Sequence, residues 1–156
     1  NERENRMEKI EVYKIVLEEV KKLGISSMYL RTFLASMVLR KVRHPEEGIL
    51  EISQKVSKTV VYRFGKKDVT DIDPEEQKMR EATMDAFGRT PATYGKNNIV
   101  ETSCDKSLDR LAEALYEATN IPEEWLPGLK AGRVVKELAK IVWERLEEEA
   151  DDELDC

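Results

Sequence analysis

The chain has 156 residues, a formal net charge of −6, a hydrophobic fraction of 40% and a charged fraction of 37%. This composition excludes an intrinsically disordered protein, and the length suffices for one domain whose core needs neither a disulfide nor a metal ion. No apolar run reaches the roughly 20 residues of a membrane helix, and the N-terminus is too charged for a secretory signal, so we expect a cytoplasmic protein with no membrane partner. Few glutamines, a single histidine and abundant Glu, Lys and Arg resemble the composition of thermophile proteins.

A first helix is predicted over residues 2 to 23. Its apolar positions follow helical spacing: Ile10, Tyr13, Val16, Leu17, Val20 and Leu23. Gly24 then supplies the left-handed residue that commonly ends a helix, and Ile25 is placed to pack back against it.

The segment from Met28 to Val42 is the most apolar stretch long enough to form a buried helix. Apolar residues recur in it at intervals of three and four: Leu30, Phe33, Leu34, Met37 and Val38. Ser26 or Ser27 is the predicted N-cap, and the helix should stop before the His44-Pro45 pair. We expect this central helix to organise the fold and to form an antiparallel hairpin with the first helix.

A third helix is predicted to begin at Pro45, Glu46 and Glu47 and to turn Ile49, Ile52 and Val56 inward. Residues 59 to 70 permit two interpretations. The β-branched and aromatic run from Thr59 to Phe64 favours a short β-hairpin, whereas Ile52, Val56 and Val60 keep a helical spacing that would continue the helix.

Asp73 and Pro74 give the strongest local signal in the chain. Asp73 can accept from the free amides of a first turn, Pro74 lacks the amide that would stay unpaired, and Glu76 can reach back as in a capping box. The predicted helix presents Met79, Ala82, Thr83, Ala86 and Phe87 and closes on Gly88. Residues 88 to 103 then form a long loop, of the kind used as a binding segment, an arm or a disordered piece.

Two further helices complete the prediction. One carries Leu108, Leu111, Ala112, Leu115 and Tyr116 on its inner face and stops near Asn120. A short turn with Trp125 ends at Pro127-Gly128, and a last helix runs from about Leu129 to Glu149. The predicted fold class is all-α: one domain of about six helices over residues 1 to 150, with residues 88 to 103 as the candidate boundary, and a frayed acidic tail at 151 to 156.

Charge is divided unevenly along the chain. Residues 25 to 67 hold nine basic and three acidic side chains, a net of +6, whereas residues 68 to 156 carry a net of −12. The basic residues form the predicted contact surface: Arg31, Arg40, Lys41, Arg43, Lys55, Lys58, Arg63, Lys66 and Lys67.

Two functions fit this asymmetry, and plain solvation of both surfaces is the neutral alternative. The basic segment of one copy could meet the acidic half of another, or a protein partner, which predicts an interaction or self-assembly protein. The same basic surface could instead contact the phosphates of a nucleic acid. Residues 49 to 64 approximate a helix-turn-helix pattern, but they lack the glycine-bearing turn, and Glu46, Glu47 and Glu51 would repel phosphate.

No catalytic, cofactor or metal signature in the sequence is complete. The segment from Gly88 to Lys96 has the wrong spacing for a phosphate-binding loop, and helix capping explains the acidic residues around Asp73 better than a cation does. The single histidine, His44, suits a helix end, and it cannot complete a zinc site with Cys104 and Cys156 alone. We therefore predict a protein that is not an enzyme and that uses no cofactor or metal.

Overall fold

The structure is a computed structural model, and it describes residues 8–60, 63, 73–88 and 104–155. Within these residues the chain forms six α-helices and one 3₁₀ turn: α1 (Lys9–Lys22), α2 (Met28–Arg43), α3 (Ile49–Val56), α4 (Pro74–Phe87), α5 (Cys104–Glu117), the turn Glu123–Trp125 and α6 (Ala131–Asp155). No strand occurs in the part of the chain described, and all six helices contribute to one hydrophobic core. The predicted all-α class is confirmed.

Helix α2 is the centre of the fold, as its pattern predicts. Ser27 caps it by accepting a hydrogen bond from the Leu30 amide at 3.2 Å. Phe33, Leu34 and Met37 are fully buried, and α2 contacts each of the other five helices. A helix covered on nearly every side has little room for charge except at its ends, which is where its arginines and lysine collect.

The turn between α1 and α2 packs closely against the end of α5. Gly24 adopts a φ of +73°, as predicted, and Ile25 is buried behind it. The Asn120 amide donates to the Leu23 carbonyl at 3.1 Å, and a Cβ at Gly24 would overlap the Thr119 hydroxyl. Glycine is therefore required here both by its backbone conformation and by lack of space.

Helix α3 begins later than predicted. Its N-cap is Gly48, and Pro45, Glu46 and Glu47 form a turn in place of a first helical turn. The hydrogen bonds that Glu47 accepts from Arg40 and Lys55, described below, stabilise that turn, although its sequence favours a helix start. In the segment that permitted two interpretations, Val60 and Arg63 are helical, and the Arg63 amide donates to the Thr59 carbonyl at 3.4 Å. The other residues between 61 and 72, Lys66 and Lys67 included, lie outside the described residues.

Helix α4 has the predicted bounds. Asp73 accepts from the Glu75 amide at 3.0 Å, Pro74 opens the helix, and Gly88 ends it with a φ of +94°. The capping role predicted for Glu76 is wrong, because its carboxylate pairs with Arg63. The loop predicted after Gly88 lies outside the described residues up to Ser103.

The last two helices differ from prediction at two points. Tyr116 was expected to face the core, but it is 66% exposed, and its hydroxyl donates to the Leu129 carbonyl at 3.0 Å. Helix α6 continues to Asp155 where a frayed tail was predicted after about Glu149. Of the two tryptophans, Trp125 is buried and Trp143 is half-buried, with the Trp143 indole donating to the Val42 carbonyl at 3.2 Å.

Among the described residues, none of the helices combines the length and the apolar character needed to span a membrane.

Candidate functional site

A cavity of about 140 Å³ opens between the start of α1, the end of α2, α3 and the segment around Arg63. Five cationic side chains line it: Lys9, Arg40, Arg43, Lys55 and Arg63. Four of them belong to the predicted basic surface, and Lys9 does not. The polar side chains Ser36, Thr59, His44 and Glu76 complete the lining, with Leu39 and Val56 as its apolar part.

The antiparallel hairpin of α1 and α2 explains why Lys9 joins this set. The first turn of α1 lies beside the last turn of α2, and that last turn carries Arg40, Lys41 and Arg43. Basic side chains are favourable there because the C-terminal end of a helix carries partial negative charge. The predicted hairpin could have located Lys9, but counting charge by chain segment hid it within the neutral residues 1 to 24.

Glu47 lies behind the cavity and forms ion pairs with two of its cations. Its carboxylate accepts from Arg40 Nε at 2.6 Å and Arg40 Nη2 at 2.7 Å, and from Lys55 Nζ at 2.5 Å. These hydrogen bonds, first from Arg40 and then from Lys55, lower the pKa of Glu47 to about 2. Lys41 fastens the same turn by donating to the carbonyls of Pro45 and Glu47, both at 2.8 Å. Sequence reasoning missed this role, because Glu47 was interpreted as part of a helix start and as an acid that would repel phosphate.

Arg63 forms the buried wall of the cavity. It donates from Nε and Nη2 to the two carboxylate oxygens of Glu76, at 2.9 and 2.7 Å, and from Nη1 to Ser36 at 3.1 Å. Its guanidinium carbon lies 5.4 Å from the centre of the Tyr13 ring, a cation-π distance. Burial is the largest single influence and acts to lower the pKa of Arg63, but hydrogen bonding to Glu76 together with electrostatic attraction from Tyr13, Glu76 and Glu75 outweighs it, and the pKa is raised.

The predicted contact residues outside the lining are scattered. Lys58 is exposed and, like Arg43 in the lining, makes no ion pair with any residue in the described ranges. Arg31 lies elsewhere, with its guanidinium carbon 5.0 Å from the centre of the Phe87 ring. Lys41 is half-buried and outside the cavity lining, and Lys66 and Lys67 are not described.

The charges of the cavity lining are mostly positive. The lining itself holds five cations and one carboxylate, Glu76. Glu47, Glu51 and Glu75, which lie outside the lining, pair with three of the five cations, and this leaves Arg43 without an ion pair in the described ranges. The cavity is therefore suited to anionic groups.

A cation site at the same turn is disfavoured by these contacts. His44, Glu46 and Glu47 offer ligand atoms within 4.8 Å of one another. However, the Glu47 carboxylate already accepts from Arg40 and Lys55, so a divalent ion would sit against two positive charges. The arrangement can bind negative charge far more readily than positive charge.

Comparison of the chain with protein-family models, with curated proteins and with solved structures found no match in any of the three. The functional argument therefore depends on the charges and contacts of the chain itself.

Proposed function

We propose that this chain is a non-catalytic interaction protein that self-associates, with the basic cavity surface of one copy taking the acidic end of α6 from another. The observation that carries the proposal is the convergence of five cationic side chains on one cavity whose lining holds one carboxylate. Such a surface favours an acidic partner, and the same chain supplies an acidic helix.

The end of α6 has the properties of a complementary segment. Leu146 is the last residue of the helix known to be buried, and Glu147, Glu148 and Glu149 after it are exposed. The helix then continues to Asp155 through a sequence with four more acidic residues. The nine residues from 147 to 155 are about 13 Å long as a helix.

Acidic side chains are unfavourable at this end of a helix. The last carbonyls carry a partial negative charge, so each carboxylate in the last turns is repelled by about 0.3–1 kcal/mol at low ionic strength. α6 has no basic residue in its last turn to offset this repulsion. A cationic surface from another molecule would relieve it, and this gives the proposed contact a driving force beyond simple pairing of charges.

Association of this kind is expected to be weak. Exposed ion pairs contribute about 0.2–1 kcal/mol each, so a contact built from a few of them has a Kd on the order of 1 mM or weaker. The net charge of −6 also makes two copies repel at long range. At an ionic strength of about 0.1 M, screening beyond about 10 Å suppresses this repulsion more than it weakens direct contacts.

The test is the solution mass of the whole chain, measured by sedimentation at about 0.1 M and about 1 M salt, where the Debye length is about 10 Å and about 3 Å. We expect species larger than the 18.0 kDa chain at the lower salt and their loss at the higher salt. Lys9→Glu with Arg43→Glu should abolish the larger species. The control, Lys14→Glu with Lys136→Glu, changes net charge equally at exposed positions that do not line the cavity, and it should keep them. Equal behaviour of the two pairs would refute the proposal.

Nucleic-acid binding stays as the alternative use of the same surface. It has fewer available contacts than the sequence predicts, because Arg40, Lys41, Lys55 and Arg63 all bind acceptors within the chain. A steeply salt-dependent affinity for duplex DNA, with the protein mass unchanged, would favour this alternative over self-association.

A further inference from the structure

We infer that the cavity is also a binding site for one phosphate group, as free inorganic phosphate or as the monoester end of a small molecule. Among the lining side chains, Arg43, Arg40 through Nη1 and Lys9 are the donors that we assign to the ligand. This activity goes beyond self-association, because it needs only one copy of the chain.

Each of these donors has hydrogen-bonding capacity left over. Arg43 makes no ion pair within the described ranges, and Arg40 donates to Glu47 through Nε and Nη2, which leaves Nη1. Lys9 has a single ion pair, to Glu75 at 3.3 Å, and the Glu75 side chain is 54% exposed. Arg63, in contrast, directs all three of its nitrogens to Glu76 and Ser36, so it supplies mainly charge.

The charge of the cavity favours phosphate over a carboxylate. A phosphate monoester carries about −1.5 to −2 charges at neutral pH and presents three acceptor oxygens, whereas a carboxylate carries one charge and two oxygens. Five cations around one cavity match the larger, tetrahedral group better.

The volume limits how much of a ligand the cavity can enclose. A cavity of about 140 Å³ has room for several water molecules. That space suits a tetrahedral oxyanion with a small organic group or a few waters. Drug-sized ligands occupy pockets of about 300–1,000 Å³, so a nucleotide would not be enclosed.

The internal ion pairs prepare the site for a ligand without filling it. Glu47 fixes the guanidinium plane of Arg40 through two hydrogen bonds, and Glu76 fixes that of Arg63 in the same way. Cations held in place by second partners lose less conformational entropy when an anion arrives.

Calorimetric titration of the whole chain with inorganic phosphate tests the inference. The buffer is chloride-based, ionic strength is matched throughout, and the protein concentration is one at which sedimentation shows only the 18.0 kDa species. The result is therefore independent of self-association. We expect saturable binding of phosphate, with acetate at least about tenfold weaker because it carries fewer charged hydrogen bonds.

Two exposed positions give matched variants. Arg43→Gln should raise the Kd for phosphate about tenfold or more, since it removes a charged donor, whereas Lys136→Gln on α6 should leave it within about twofold. Circular dichroism of both variants confirms that the fold is retained. A tighter Kd for glycerol phosphate than for inorganic phosphate would assign the ester class, and the reverse order would assign free phosphate. Absent binding, acetate binding equal to phosphate, or equal Kd values for the two variants would overturn the inference.

Discussion

Arg63 and Glu76 form a two-hydrogen-bond ion pair, with Nε 2.9 Å from one carboxylate oxygen and Nη2 2.7 Å from the other. Their side chains are only 6% and 19% exposed. The pair joins the segment after α3 to the first turn of α4, and Arg63 continues the network to Ser36 on α2. Three parts of the chain are thereby held at the wall of the cavity.

Removal of one member of this pair should destabilise the protein strongly. Arg63→Met leaves the poorly exposed Glu76 carboxylate without its partner, at a cost of about 3 kcal/mol in the free energy of unfolding, measured by urea denaturation. The double variant Arg63→Met with Glu76→Met should recover much of that loss, because no isolated charge remains. Lys140→Met at the exposed pair with Glu137 is the control, and it should cost under about 0.5 kcal/mol. Equal costs for Arg63→Met and Lys140→Met would contradict the prediction.

Gly24→Ala should be among the more damaging single substitutions of a small residue. It forces a side chain into a left-handed conformation, which costs about 1–2 kcal/mol, and adds the overlap with Thr119. Gly128→Ala isolates the first effect, since Gly128 has a φ of +64° but nothing within 4 Å of the added Cβ.

Thermal denaturation should therefore rank Gly24→Ala below Gly128→Ala in Tm, with Thr119→Ala partly restoring the former. The same Tm for both glycine variants would show that the overlap of the added Cβ with Thr119 does not lower stability.

The contribution of Glu47 to stability should depend on pH in a defined window. Its pKa is about 2 in the folded chain against an ordinary value of 4.5, so the unfolded chain takes up the proton first as the pH falls. The stabilisation is complete above about pH 4.5 and is lost as the pH falls toward 2.

The difference in unfolding free energy between the parent chain and Glu47→Gln should be largest and constant above about pH 5, and it should shrink below pH 4.5. Glu46→Gln, in the same turn, is the reference for removing a nearby negative charge. A difference that stays constant from pH 6 down to pH 3 would mean that Glu47 does not hold its charge through Arg40 and Lys55.

Local chemistry explains which parts of the fold were predictable. Ser27, Asp73 with Pro74, and Gly24 act on backbone groups within a few residues, so their effects can be seen in the sequence alone. The central position of α2 was equally clear, because an uninterrupted apolar face must be covered.

Ion pairs between residues that are not close in the chain explain the errors. Glu47 and Glu76 both lie at positions that favour a helix start, but each pairs instead with cations up to 13 residues away in the chain. A buried guanidinium requires a carboxylate more strongly than a helix end requires a cap. Most basic residues of the cavity were thus predictable from the sequence. Their ion pairs within the chain, and the presence of Lys9 among them, depend on how the helices pack.

The most direct test of self-association through opposite charges is a charge-swap mixture followed by sedimentation at about 0.1 M salt. One variant carries Lys9→Glu and Arg43→Glu, and the other carries Glu147→Lys, Glu148→Lys and Glu149→Lys. Each alone has lost most of the net charge of one of the two surfaces, so each should remain at the mass of one chain. Mixed, the unaltered acidic helix of the first meets the unaltered basic surface of the second. The account predicts a larger species in the mixture only, and a mixture that sediments as single chains while the parent protein associates would contradict it.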